Sequence, residues 1–282
     1  IATKQGQHGP VIAGVSTVNS TGCMKIPSGP TEFRGGRGRG IFGSGATPSS
    51  TTVIDKIEIA TKGDAVDFGD DIHAREEGNA AFSSAIRGCF SGGLSSPATT
   101  SNISYVTIPS GGGANDFGDL SSARQSNAGA SNNVRGLSFG GTPSPSGAAT
   151  NTIQYVTIAS AGDANEFGSL TERVFNTGSG VSNGIRAIQM SGNSVEVGDD
   201  SKKIHVVTIA TTGDAVKFGD LITARNAHAG CSNSTRGLVF CGQESPGGGN
   251  LNSIEYFELA SEGNAVDFGD ASATKDYLAA LA

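Results

Sequence analysis

Residues 207–220 read VTIATTGDAVKFGD, and lightly altered versions recur as VTIPSGGGANDFGD at 106–119 and FELASEGNAVDFGD at 257–270. The Phe-Gly pair that closes the phrase falls at Phe68, Phe117, Phe167, Phe218 and Phe268, at spacings of 49, 50, 51 and 50 residues. A second phrase keeps step with it: RGIF, RGCF, RGLSF, RAIQM and RGLVF begin at Arg39, Arg87, Arg135, Arg186 and Arg236. Two phrases in constant phase over five copies define an internal repeat of about 50 residues.

Each copy reads as β-structure throughout. The arginine phrase is a short apolar run ended by glycine, which suits an inner strand with little lateral room. After a Ser/Pro/Gly/Thr/Asn loop comes a run such as IEYFELA from Ile254, whose consecutive aromatic and β-branched residues point to both faces and predict burial on both sides. A glycine turn and the short Phe-Gly-Asp strand follow. A more polar fourth strand, as in LITARNAHAGC from Leu221, then leads to the next arginine. Four-stranded units of this length, buried on both faces, predict a five-bladed β-propeller of antiparallel blades. The expected blades are 37–84, 85–133, 134–184, 185–234 and 235–282, preceded by an N-terminal arm or connector at 1–36. In that register each blade is complete, and no split blade is needed to close the ring unless part of 1–36 pairs with the final sheet. An open β-solenoid is the rival architecture.

Composition narrows the function classes. Gly accounts for 43 of 282 residues, charged residues for 16%, and Trp is absent, a turn-rich rather than helical make-up. A formal net charge of −7 argues against nucleic-acid binding, which calls for a basic face. No apolar run approaches the roughly 18 residues of a membrane span, so no membrane insertion is expected. Cys23, Cys89, Cys231 and Cys241 show no C-x-x-C spacing and read as packed thiols, although Cys231 and Cys241 flank a short turn and are placed to face each other.

Residues present in every copy are expected to hold units together rather than bind one ligand. The five Phe of the Phe-Gly pairs fit as plugs between sheets. Asp70, Asp119, Asp220 and Asp270, with Ser169 in the third copy, precede Arg75, Arg124, Arg225, Lys275 and Arg173 at nearly constant spacing, which predicts an ion pair or a turn cap. Calcium at Asp64, Asp67 and Asp70 is the rival reading, disfavoured because a calcium loop needs more closely alternating oxygens. The five leading arginines predict bonds to the adjacent blade, with an anion-holding ring as alternative. Tyr105, Tyr155 and Tyr256 share one strand position and read as packing. His8, His73, His205 and His228 are scattered, GGRGRG at Gly35 lacks a strand–helix context, and no catalytic, cofactor or metal residues are assigned; no enzyme and no cofactor are expected. Specificity is expected where the repeat departs from itself, at TERVFNTGSG and SGNSVEVGDDSKKI in the third and fourth copies, either a partner surface or drifted loops.

The wording Y-V-T-I-A-x-x-G-[DN]-A-x-x-F-G-D-L-x-x-A-R followed by S-x-x-x-R-G-x-x-F-G-G resembles kelch-like propeller repeats in proteins of marine bacteriophages, particularly those of cyanobacteria. The likeness covers 37–282, and MKIPSGPTEFR near the N-terminus resembles connector text of phage tail fibres. It implies a non-enzymatic structural or adaptor protein of the virion tail or tail fibre, docked to other virion proteins through the arm in a symmetric homo-oligomer. The alternative it leaves open is a receptor- or glycan-binding module for host attachment; the lack of Trp counts against sugar stacking.

Overall fold

The computed structural model describes residues 17–18, 24–25, 38–43, 45, 49–75, 79–95, 98–144, 147–175, 180–244 and 248–278. The chain divides into two compact units, Ile1–Phe33 and Arg34–Ala282. In the first, Thr17–Val18 pairs antiparallel with Met24–Lys25. The second is all-β among the described residues, every strand pair antiparallel, and the five sequence copies are five sheets or parts of sheets.

The second copy shows the pattern. A first strand, Ala80–Ser83, pairs with a second, Arg87–Ser91, then comes a third, Asn102–Thr107, and at the other edge of the sheet an outer strand, Asn115–Asp119. In the fifth copy the same order runs Ala229–Ser232, Arg236–Phe240, Ser253–Glu258 and Val266–Asp270. A β-bulge recurs between the third and outer strands, at Ile54/Asp55, Ile103/Ser104, Ile153/Gln154, Ile204/His205 and Ile254/Glu255.

The expected blade limits are corrected in one respect. The small-residue strand that precedes each arginine pairs forward with it, Phe82 opposite Cys89 and Cys231 opposite Leu238, not backward with the preceding Phe-Gly-Asp strand. The reason is local: an Asn or Ser three residues before the second strand caps a tight turn, with Asn132 Oδ1 accepting from Val134 N and Arg135 N at 2.8 and 2.7 Å, which makes a hairpin of these two strands. In the second to fifth copies the pairing therefore begins before the arginine. The first sheet has three described strands, Arg39–Gly43, Val53–Glu58 and Val66–Asp70.

The third and fourth copies depart differently from either reading of their divergence. TERVF prolongs the outer strand to Asn165–Phe175, and SGNS prolongs the second strand of the next copy to Arg186–Ser194. The extensions pair, Val174 with Ser194 and Phe175 with Asn193, so two copies share one continuous sheet.

Four hydrophobic clusters make up the core, and each lies between consecutive copies. Ile54 and Phe68 pack against Phe90 and Val106; Phe82, Ile103 and Phe117 against Val156 and Ile158. Leu137, Ile153 and Phe167 pack against Val207 and Ile209, and Met190, Ile204 and Phe218 against Phe257 and Leu259. Ile103 faces forward and Val106 backward, so the third strand is buried on both sides, as its unbroken apolar run requires.

Candidate functional site: the junction between successive units

Because the core clusters of the described residues each lie between successive copies, what the repeat does is set by the junction, which occurs four times among them. Its first component is the leading arginine. Arg39 Nη1 donates to Ile108 O at 2.8 Å, Arg87 Nη1 to Ile158 O at 2.9 Å, Arg135 Nη1 to Ile209 O at 3.0 Å and Arg186 Nη1 to Leu259 O at 3.2 Å. The guanidinium groups thus go to carbonyls of the next unit and not to a shared anion. Where the third strand carries Tyr, the arginine also lies over its ring, at 4.4 Å for Arg87 and Tyr105 and 4.7 Å for Arg135 and Tyr155. The tyrosines stand edge-on to the Phe plug of their own unit, Tyr105 to Phe117 and Tyr155 to Phe167, both at 5.9 Å. They are packing residues.

The Phe-Gly-Asp phrase is the second component. Gly162 N donates to Phe117 O and Ala164 N to Asp119 O, and the same two bonds recur with Gly213 and Ala215 on Phe167 and Ser169, and with Gly263 and Ala265 on Phe218 and Asp220. The glycine following Phe68, Phe117, Phe167 and Phe218 is required by contact: a Cβ on Gly118 would sit 2.5 Å from Gly162 C, and one on Gly219 would sit 1.9 Å from Gly263 O. The acid or amide after the next glycine turn closes the junction, Asp163, Asp214 and Asn264 accepting from Asp119 N, Ser169 N and Asp220 N at 3.0, 2.8 and 3.0 Å. Asp214, within the opening phrase, is such a cap. Gly219→Ala is expected to destabilise by about 1–3 kcal/mol through overpacking against backbone that has no rotamer with which to yield. Gly269→Ala, with nothing within 4 Å of its Cβ, loses only the strain of its φ of +136°. Urea unfolding midpoints compare the two.

The third component departs from the expected ion pair. Asp70 and Asp119 accept instead from Thr52 Oγ1 and Ser101 Oγ, both at 2.9 Å, and Asp220 from Lys217 Nζ at 2.7 Å. Asp67, the middle acid of the calcium reading, accepts from Gly69 N at 3.1 Å. The cations turn inward, into the next sheet. Arg75 and Arg225 are 0% exposed and Arg124 2%. Arg75 Nε donates to Asp71 Oδ2 at 2.9 Å, and its other nitrogens to Asn102 O at 3.0 Å and Ser104 Oγ at 3.2 Å. Arg225 donates to Cys241 O at 2.9 Å, to Ser253 O and Oγ at 3.2 and 3.0 Å, and to Glu255 Oε1. Arg124 reaches Gly140 O at 3.3 Å and Ser122 Oγ at 3.1 Å and has no carboxylate; burial alone pushes its pKa down to about 10. Arg173 is the exception: its lengthened strand carries it to the surface, where Nε meets Glu196 at 2.8 Å.

Asp71 and Glu255 are residues the sequence reading missed. Glu255 occupies the bulge position that Asp55, Ser104, Gln154 and His205 fill in other copies, and this run of polar residues inside an otherwise apolar strand was the available signal. His205 uses that position to bond Gln189 Oε1 at 2.8 Å and Thr171 Oγ1 at 2.7 Å. His73 is half-buried. His228 is buried with neither ring nitrogen bonded. Cys89, Cys231 and Cys241 are free thiols; Cys231 pairs across the hairpin with Leu238, not with Cys241. Cys23, His8, Gly35 and most of residues 1–36 lie outside the described residues.

The two ends of the row carry unpaired halves of this junction. Phe268 is 54% exposed where Phe68, Phe117, Phe167 and Phe218 are buried, and Ile59 is 55% exposed where Ile108, Ile158, Ile209 and Leu259 are buried. Arg236 bonds Glu258 of its own sheet at 2.8 Å, as Arg39 bonds Glu58 at 3.0 Å. No protein-family model and no curated protein matches the chain.

Proposed function

We propose that the five units are the blades of a five-bladed β-propeller serving as a non-enzymatic structural or adaptor protein of a phage tail or tail fibre. The observation that carries the ring is the complementarity of the two unpaired faces. By the pattern of the four formed junctions, Arg236 is placed for the carbonyls of Ile59 and Ala60, Gly269 for the backbone of Gly63, and Asp270 N for Asp64. Every residue type that a fifth junction needs is present on one face or the other. A scaffold role fits the chemistry, since repeated polar groups join units: the leading arginines reach carbonyls of the next unit, and Asp163, Asp214 and Asn264 accept from backbone amides of the unit before. The tail placement rests on the resemblance of the repeat and connector wording, and the segment 1–36 is its docking arm. Cryo-electron microscopy of particles containing the protein tests both parts. A ring of five blades wedged between other subunits is the expected result. An exposed distal tip, with free protein blocking host adsorption, replaces the adaptor role with host attachment.

A further inference from the structure

We propose that the fourth unit carries a binding site for a phenol ring, brought by a tyrosine side chain of a partner protein or by a free phenolic compound, in a cavity beside Arg186. The inference goes beyond the scaffold reading and holds whether or not the row of units closes. In the second, third and fifth units the leading arginine lies over a tyrosine of the third strand, at 4.4 Å for Arg87 and Tyr105 and at 4.7 Å for Arg135 with Tyr155 and Arg236 with Tyr256. The fourth unit holds Val206 at that place: Val206 stands opposite Ile188, two residues after Arg186, as Tyr105 stands opposite Cys89, two residues after Arg87. A cavity of about 240 Å³ opens there, with Arg186 and Val206 in its lining. That is below the roughly 300 Å³ at which pockets for drug-sized ligands begin, and it suits a single ring.

The arginine keeps the anchorage of its counterparts. Arg186 Nη1 donates to Leu259 O and Ala260 O, both at 3.2 Å, as Arg135 Nη1 does to Ile209 O and Ala210 O at 3.0 and 2.9 Å. A guanidinium held in this way is the cation half of a cation–π pair. The core beneath closes without a tyrosine. Phe257 of the fifth unit stands edge-on to the plug Phe218 at 5.6 Å, the contact that Tyr105 and Tyr155 make to Phe117 and Phe167 in their own units. The space beside Arg186 is therefore not needed for packing. Its wall is apolar, because Val206 is paired across the sheet with Val216, which is 56% exposed, where Tyr105 and Tyr155 face Asn115 and Asn165. Thr208, Thr211 and Glu262, all exposed, place oxygens at the rim that can accept from a phenol hydroxyl. The carboxylates of Glu262 and Asp214 in the same rim disfavour an anionic aromatic acid.

Methyl NMR of the full chain titrated with p-cresol, the tyrosine side chain as a free molecule, tests the site. Saturable shifts are expected at the methyls of Val206 and Val216. 4-Methylcyclohexanol, which has the same outline and no π face, should bind several-fold to about tenfold more weakly, the ratio that a cation–π contact supplies. Val206→Tyr should abolish the p-cresol shifts by filling the cavity with the chain's own ring, an arrangement for which Tyr256 opposite Val266 is the precedent. Should that variant fail to fold, Val216→Glu changes only an exposed wall residue and should weaken p-cresol several-fold. The source of the ring is read from the blocked peptide acetyl-Gly-Tyr-Gly-amide: binding as tight as that of p-cresol supports a partner's tyrosine, and p-cresol bound with the peptide excluded supports a free phenolic compound. No shift at Val206 and Val216 with millimolar p-cresol overturns the proposal. So does equal binding of 4-methylcyclohexanol, or p-cresol binding that persists unchanged in Val206→Tyr and Val216→Glu.

Discussion

Arg225→Met is expected to cost about 3–5 kcal/mol of unfolding free energy, the largest loss of any single side chain in the junctions. Arg225 is fully buried and, among the described residues, its guanidinium is the cation paired with Glu255, which is 1% exposed. With the arginine removed, Glu255 keeps the amides of Ile222 and Thr223, at 2.8 and 3.2 Å, and its charge is left in a site that burial makes hostile to it. The Cys241 carbonyl loses the arginine donor as well, while the Ser253 carbonyl keeps the Cys241 amide at 3.0 Å. Two comparisons isolate the cause. Arg225→Met with Glu255→Leu should recover most of the loss, since a buried pair replaced as a pair by apolar groups is near neutral. Arg124→Met should cost less than Arg225→Met, because no carboxylate is orphaned. Chemical denaturation of the three variants reads the differences, and an Arg124→Met as damaging as Arg225→Met would refute the account.

The contrast between these arginines also marks what was legible in the sequence. Phe68 to Phe268 and Arg39 to Arg236 announced the repeat because every junction demands the same plug and the same donor, so five copies wrote them alike. The doubly apolar third strand was legible for the same reason: Ile103 and Val106 face different neighbours, and both faces are dry. The partner of Arg225 was hidden. Its carboxylate stands thirty residues on, across a unit boundary, at a position that holds Ser, Gln, His or Asp elsewhere, while a carboxylate five residues before it offered a nearer and false match. Strand assignment to sheets failed on a related point. Spacing along the chain is the same whether Ala229–Ser232 pairs backward or forward, and only the capped turn at Asn233 decides it; Asn233 Oδ1 accepts from Arg236 N at 2.7 Å. The pairing of the extensions in the third and fourth copies was missed because it follows from the position of both units, which no single stretch encodes.

Acid should destabilise the protein from pH 6.5 downward, and two buried histidines are the reason. Burial holds His228 neutral, helped by the nearby Arg225 charge, and pushes its pKa down from 6.5 to about 3. His205 is pushed down to about 4, again by burial first, with Lys203 and Lys217 lowering it and Glu172 opposing. A histidine whose folded pKa is depressed binds its proton in the unfolded chain first. Stability is therefore full above pH 6.5 and falls as pH drops toward the folded values. At pH 5 the loss is about 2 kcal/mol for each, at 1.36 kcal/mol per pH unit below the unfolded pKa. His228→Leu separates this effect from general acid denaturation. Neither ring nitrogen of His228 makes a hydrogen bond, so leucine forfeits none, and the last copy carries Leu278 at the equivalent place. The variant should match the parent near pH 7.5 and exceed it at pH 5, visible as a shallower fall of the thermal midpoint between those values. Parallel slopes for the two proteins would show that His228 is not what acid attacks. A flattened slope would place the acid-labile point beside the strand Ala229–Ser232, where the fourth unit hands the chain to the fifth.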